Sequence, residues 1–286
     1  MNIVALVQGS PEWLAYRLSR RNASESAAVL GASPWTTPYK LWLLKTGRSV
    51  TPVTSAMRHG TDTEPAARAA YEAQTGNVMQ PLVLEHKGYS ASLDGITFDH
   101  DLIVELKCPV RGSRSDLWND VAAGAVPEHY AIQVQHQLMV TDAPKCHLWV
   151  FDGQRGLLQE IPRDEAVMDR IKAGWDAFQL YLDTDTPPPL TDADTVQRSD
   201  TFWKDAAAAF ASAKLAADAA DVALTAARDA LVKLAVHPRE SGAGVTVTRY
   251  WKAGNVAYAK VPCLQGLDLS AWRGKSREEV RVTASP

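Results

Sequence analysis

The chain predicts an α/β or α+β fold, a central sheet with helices on its faces, and three observations carry that expectation. Runs rich in strand formers at 89–98, 102–107, 146–152 and 157–162 are interleaved with helical patterns at 60–76, 127–140 and 164–182. At 286 residues and 46% hydrophobic, the chain can bury one substantial core and still carry a smaller second element. A triple proline then breaks the pattern within 183–200, and a different periodicity follows. The expected organisation is a folded domain over 1–182, a linker over 183–200, a long heptad-patterned helix over 201–236 and a small basic β-containing module over 237–286.

The elements follow in order. Ser10 caps a helix near 10–22 that begins with Pro11 and carries Arg17, Arg20 and Arg21 near its end. Further helices are expected near 24–30 and 37–46. Gly60-Thr61-Asp62-Thr63-Glu64-Pro65 reads as the start of the next one, with capping side chains, proline in the first turn and Gly76 as its stop. An acid in that first turn suits the helix dipole, which is one account of Glu64. The 127–140 helix places Tyr130, Gln133 and Gln137 on one face and Ala131, Val134 and Leu138 on another; on spacing alone the polar stripe is a solvated side or a substrate contact. In 164–182, Val167, Ile171, Trp175, Phe178 and Leu182 share a side. Beyond the linker, residues from Trp203 through Phe210 and Leu224 to Leu234 alternate spacings of three and four, a heptad seam made mostly of alanine. Such a seam lets helices approach closely but buries little, so the helix is expected to pack on a partner surface or along the core. A hairpin formed by 245–251 and 256–262, turning around Gly254-Asn255, is expected in the last segment.

The chemistry concentrates between 92 and 109. Ser92-Leu93-Asp94-Gly95 and Val104-Glu105-Leu106-Lys107-Cys108-Pro109 lie on what reads as one hairpin turning near residue 100. Side chains two apart share a face, so Glu105 and Lys107 point one way while Leu102, Val104 and Leu106 point the other. Asp94 then falls nearly opposite Glu105 across the ladder, close enough for both carboxylates to grip one cation. Carboxylates suit a hard ion such as Mg²⁺, and a lysine beside them can orient or deprotonate water or stabilise growing negative charge. The competing account is an ordinary hairpin with a solvated Glu/Lys pair.

These motifs, with "RHGTDTEPAAR" before them and "YAIQVQHQLMVT" after, resemble the lambda-exonuclease or YqaJ type of viral recombination nuclease within the PD-(D/E)xK superfamily. The resemblance runs from about Trp13 to Phe151. It implies a restriction-endonuclease-like core with a mixed central sheet, and a nuclease domain over 1–182. Carried over by position, Asp94, Glu105, Glu64 and the Leu106 carbonyl would be metal ligands, one or two Mg²⁺ or Mn²⁺ ions the cofactor, and Lys107 the catalytic lysine. Gln133 matches the glutamine of the family's helix, and Arg17 with Ser24 and Ser92 matches the DNA 5′-phosphate pocket. Leu93 stands where the family usually has proline, which removes a rigid turn residue and no ligand. The implied activity is 5′–3′ digestion of linear double-stranded DNA to expose 3′ single strands. The implied partners are DNA ends, a single-strand annealing protein and further copies in a ring-shaped trimer. Two other readings share the residues: an endonuclease of restriction or repair type, and a non-catalytic DNA-end-binding scaffold.

Charge is consistent with a localised nucleic-acid surface. The net charge is −3, yet residues 1–60 hold seven Lys/Arg against Glu12 and Glu25, which offers phosphate partners. Residues 160–200 reverse the balance with ten acids against four bases, and 237–286 hold eight bases against four acids. Cys108, Cys146 and Cys263 have no metal-ligand spacing, which argues for a reducing compartment and against a zinc or iron–sulfur site. With no apolar run of membrane length, the expectation is a soluble cytoplasmic protein of a bacterial host, phage or prophage in origin.

Overall fold

A computed structural model describes residues 1–254, 261–264 and 267. It divides into two units, Met1–Thr195 and Val196–Pro286. The first is built on a seven-stranded mixed sheet. Its strands are β1 (Asn2–Ile3), β2 (Arg21–Asn22), β3 (Gln80–His86), β4 (Tyr89–Ile96), β5 (Ile103–Lys107), β6 (Lys145–Phe151) and β7 (Gly156–Pro162). The order is β1-β3-β4-β5-β6-β7, with β2 alongside β4. The β3–β4–β5 and β6–β7 connections are antiparallel, whereas β5 and β6 run parallel. That parallel step requires a crossover, which α5 (Asp116–Ala122) and α6 (Glu128–Thr141) supply. The mixed sheet flanked by helices is the fold class the sequence predicted.

Strand alternation sorts the core onto two faces. Leu102, Val104 and Leu106 pack with Trp149 and Phe151 against Ala67 and Tyr71 of α4 (Ser55–Thr75). Ile103, Leu148 and Val150 face the other way, onto Val134 and Leu138 of α6. A further cluster joins α6 to α2 (Ser26–Val29), α3 (Pro38–Lys45) and α7 (Glu165–Asp183) through Ala27, Trp42, Ile132, Ile171 and Trp175. The remaining helix of this unit, α1 (Pro11–Leu18), carries no buried residue.

Three sequence expectations are corrected. The helix expected to open at 60 starts at Ser55, where the Thr54 side chain accepts from the Met57 N–H, so Pro65 lies inside α4 and deprives the Thr61 carbonyl of its helical donor. The strand β3 was not expected; Pro81 disguises it. The proline is tolerated because the register slips there, from Leu82↔Leu93 to Gln80↔Ile96. In the second unit the hairpin joins β8 (Arg239–Gly242) to β9 (Val245–Thr248) across Ala243-Gly244, both at positive φ, so residues 245–248 pair backwards. The expected partner run at 256–262 lies mostly outside the described residues. The same unit contains α8 (Thr201–Leu234), a 34-residue helix capped by Asp200.

One buried network ties three helices together. The Trp175 indole N–H donates to Ser26 Oγ at 2.9 Å, and the Ser26 hydroxyl is hydrogen-bonded to His136 Nδ1 at 2.6 Å. Burial pushes the His136 pKa down from 6.5 to about 3, so the imidazole is neutral in the fold. Below the unfolded value of 6.5 the unfolded chain binds a proton that the folded chain refuses. Stability therefore falls as pH drops from about 6.5 towards 3. His136→Phe leaves the Ser26 hydroxyl without that partner and is expected to cost about 1–3 kcal/mol at pH 7. The variant should also lose stability less steeply between pH 7 and pH 5; thermal melts with equal slopes would refute the assignment.

Candidate active site

The site is built where the β4–β5 hairpin stops being regular. Gly95 pairs with Val104 and Ile96 with Ile103, a register that carries on to place Asp94 across from Glu105. On the other edge of β4 three residues span what two span on β3, so the extra residue falls at Asp94-Gly95 and kinks the strand. Beyond the kink the Leu106 N–H is bonded by the Asp94 side chain (Oδ2, 2.7 Å). Gly95 is required by close packing: a Cβ there would stand 2.6 Å from the Met79 Cβ and 2.8 Å from Val104.

Glu105 is the best-bonded acid in the protein core, 2% exposed. Its Oε1 accepts from Lys107 Nζ (2.5 Å) and Gln133 Nε2 (2.7 Å), and its Oε2 accepts from Gln137 Nε2 (2.5 Å). The polar stripe of α6 thus faces the strand carboxylate; Gln137 is only 1% exposed, so a solvated side is excluded. Tyr130, one turn earlier, sits under the Lys107 ammonium, 4.9 Å from ring centre to Nζ.

Glu64 approaches from α4. Because α4 begins at Ser55, Glu64 is not in a first helical turn and the dipole account of it fails. Arg68, one turn on, pairs with Glu64 Oε1 at 2.5 Å and donates from Nε to the Asp94 carbonyl at 2.9 Å. The three acids do not close into a cage: among the described residues no three Asp, Glu, His or Cys side chains stand together as a metal-holding group. Glu64 is paired with Arg68 instead.

Electrostatics mark the cluster as one unit. Burial, then the charges of Glu105 and Glu64, push the Asp94 carboxyl well above the usual range, against the pull of Lys107 and the Leu106 N–H. Burial likewise raises Glu64, Arg68 opposing it and Glu105 adding to it. Burial by itself would lower Lys107, but Glu105 and Asp94 outweigh it and raise the ammonium pKa, so the lysine is cationic. Burial and the Asp94 and Glu64 charges lift the Cys108 thiol to about 11, which removes it as a thiolate nucleophile at neutral pH. Carboxylates that repel one another offer hard oxygen donors, the chemistry a divalent cation of the Mg²⁺ type fits.

The basic edge forms a second cluster. Arg17 Nη2 donates to Ser24 Oγ (3.0 Å) and pairs with Glu25 Oε1 (3.1 Å), while its guanidinium stacks 4.6 Å above the Trp13 ring. The Trp13 indole N–H donates to Ser92 Oγ at 3.1 Å. Arg17, Ser24 and Ser92 are therefore joined through Trp13, a residue sequence reasoning passed over. Ser92 precedes Asp94 by two positions in β4, so this cluster and the carboxylates share a strand within about 7 Å of chain. Behind it, the Lys45 ammonium holds Glu25 Oε2 at 2.6 Å and the carbonyls of Arg17 and Arg20. Of the aromatics in this N-terminal region, Trp42 is core, and Trp35 is 66% exposed and packs edge-on against His129 at 4.8 Å, next to Tyr130.

Comparison with known proteins bears on these residues. The alkaline exonuclease LHK-Exo from Laribacter hongkongensis superposes with a TM-score of 0.53 at 27% identity, covering 62% of this chain and 94% of that one. Its complex with dAMP gives 0.54 at 26% identity over the same shares. The uncharacterized protein YqaJ of Bacillus subtilis (strain 168) is 29% identical over 172 residues, 56% of this chain and 52% of that protein. The chain thus spans about half the length of this curated relative. Residues 12–144 match the YqaJ-like viral recombinase domain pattern. The matched span contains every expected site residue, from Arg17 to Gln133, together with Trp13, Arg68 and Gln137. The sheet continues past it, because β6, the parallel neighbour of β5, begins at Lys145.

Proposed function

We propose that this chain is a metal-dependent DNA exonuclease that degrades linear duplexes from 5′-phosphorylated ends. One observation carries the reading: Glu105 is held by Lys107, Gln133 and Gln137 opposite Asp94, an arrangement too costly in buried charge for a structural hairpin. The likeness to LHK-Exo supports it, as does that protein's complex with dAMP, a mononucleotide. Asp94, Glu105 and the Leu106 carbonyl would hold the cation, with Glu64 at the rim. When bound, a divalent ion neutralises phosphate charge and lowers the pKa of water.

The chain's own residues do the rest. Gln133 and Gln137 fix the Glu105 carboxylate so that its lone pairs point in one orientation. The Lys107 ammonium, held protonated beside Glu105, supplies positive charge and a donor to an oxygen that becomes negative. Arg17, fixed by Ser24, Glu25 and the Trp13 ring, presents its remaining N–H groups to a terminal phosphate, the planar donor geometry that phosphate recognition favours.

Linear duplexes bearing 5′-phosphate or 5′-hydroxyl ends test this directly, with covalently closed plasmid as a third substrate. The phosphorylated strand is expected to disappear fastest and the plasmid to survive. Arg17→Ala should slow the phosphorylated substrate roughly thirtyfold, the equivalent of about 2 kcal/mol for a charge-assisted hydrogen bond, and leave the hydroxyl substrate nearly unchanged. Cleavage of the closed plasmid would replace the proposal with an endonuclease, and equal rates on the two linear ends would remove Arg17 from the phosphate.

A further inference from the structure

Helix α8 presents a seam whose residues match a second copy of themselves. At about 1.5 Å per residue its 34 residues run about 51 Å, and none of them is buried. In the heptad begun at Trp203, the first core position carries Trp203, Phe210, Ala217, Leu224 and Leu231, and the second carries alanine four times and then Leu234. We propose that α8 pairs antiparallel with the α8 of a second copy of this chain, in full overlap.

Two independent features select that orientation. The first is volume. In antiparallel pairs, first-position residues meet second-position residues of the partner. Full overlap then sets Ala206 against Leu231, Phe210 against Ala227 and Ala213 against Leu224, three layers that each combine one large side chain with one alanine, around a close Ala217–Ala220 centre and with Trp203 meeting Leu234 at the ends. A parallel pair would stack Phe210 on its own copy and Ala213 on its own copy, leaving layers alternately too wide and too narrow. The second feature is charge. On the flank that meets its own copy in an antiparallel pair, Lys214, which within its own helix pairs with Asp218, falls opposite Asp221 and Asp221 opposite Lys214, so each ammonium is shared with an acid of the other copy in two symmetrical ion pairs. The other flank is alanine from 209 through 216 and 223 to 230 at heptad spacing, which lets the helices approach closely. In a parallel pair Lys214 and Asp221 would both face those alanines, and their charges would specify nothing.

The experiment uses the full chain and sedimentation equilibrium at micromolar concentrations, with circular dichroism to verify helix content. Wild type is expected to contain an even number of chains. Asp221→Lys sets lysine against Lys214 of the partner and should halve the mass, as should Lys214→Asp. The double exchange K214D/D221K rebuilds both pairs and should restore it. Leu224→Glu, which puts a carboxylate into the seam, should also halve the mass with helix content retained. An odd number of chains, a mass indifferent to Asp221→Lys, or a double exchange that fails to reassociate while remaining helical would each overturn the pairing.

Discussion

Asp94→Asn is expected to lower hydrolysis of linear duplex DNA by about 10³-fold or more, about 4 kcal/mol of transition-state stabilisation, while leaving the protein at least as stable as wild type. The two effects have one cause. Asp94 is a carboxylate whose ionised form is opposed by burial and by Glu105 and Glu64. In the folded state it holds its proton to a higher pH than in the unfolded chain, so with rising pH through that window the fold loses stability relative to the unfolded state. Asparagine removes that cost at neutral pH and keeps an oxygen to accept the Leu106 N–H. What it loses is anionic charge for a cation. A readout separate from activity follows: Mg²⁺ at a hundred times its Kd should stabilise wild type by about 2.7 kcal/mol and the variant far less. Since Asp94 must be ionised to bind, the wild-type Mg²⁺ effect should grow with rising pH. An active Asp94→Asn enzyme, or equal Mg²⁺ stabilisation of both proteins, would take Asp94 out of the metal site.

Much of this site was legible because it depends on periodicity. Glu105 and Lys107 share a face by strand alternation, and Tyr130, Gln133 and Gln137 by helical spacing, so the two elements needed only to pack together for the amides to reach Glu105. What escaped depends on interruptions to the repeat. Pro81 hides β3 and Pro65 hides the true start of α4 at Ser55, because proline is read as a boundary and is here absorbed, in one case by a register slip and in the other within a helix. The kink at Asp94-Gly95 is visible in sequence only as a glycine. Trp13 and Arg68 escaped for a different reason: each acts on a neighbour, Trp13 on Arg17 and Ser92, Arg68 on Glu64 and the Asp94 carbonyl, and contacts between distant segments leave no spacing to read.

Lys107→Met is expected to lower activity by about 10²–10⁴-fold, and its pattern of rescue distinguishes two roles for the lysine. A lysine that takes a proton from water must be neutral when it acts. The carboxylates beside Lys107 raise its pKa and keep it charged, so in their presence its direct contribution is a cation and a hydrogen-bond donor. Lys107→Arg preserves both and should recover a substantial part of the lost kcat; if Arg is as inactive as Met, lysine works as a base, and that requires a bound cation to have taken the carboxylates' charge. Stability offers a second measure. The Glu105 side chain is 3% exposed, and removing its cationic partner strands a buried carboxylate with only the amides of Gln133 and Gln137, a loss of about 3–5 kcal/mol. A divalent ion supplies the same compensation from the other side. The melting temperature of Lys107→Met should therefore lie well below wild type in chelator and move closer to it in Mg²⁺, whereas a deficit that Mg²⁺ leaves unchanged would mean that the ion does not bind at Glu105.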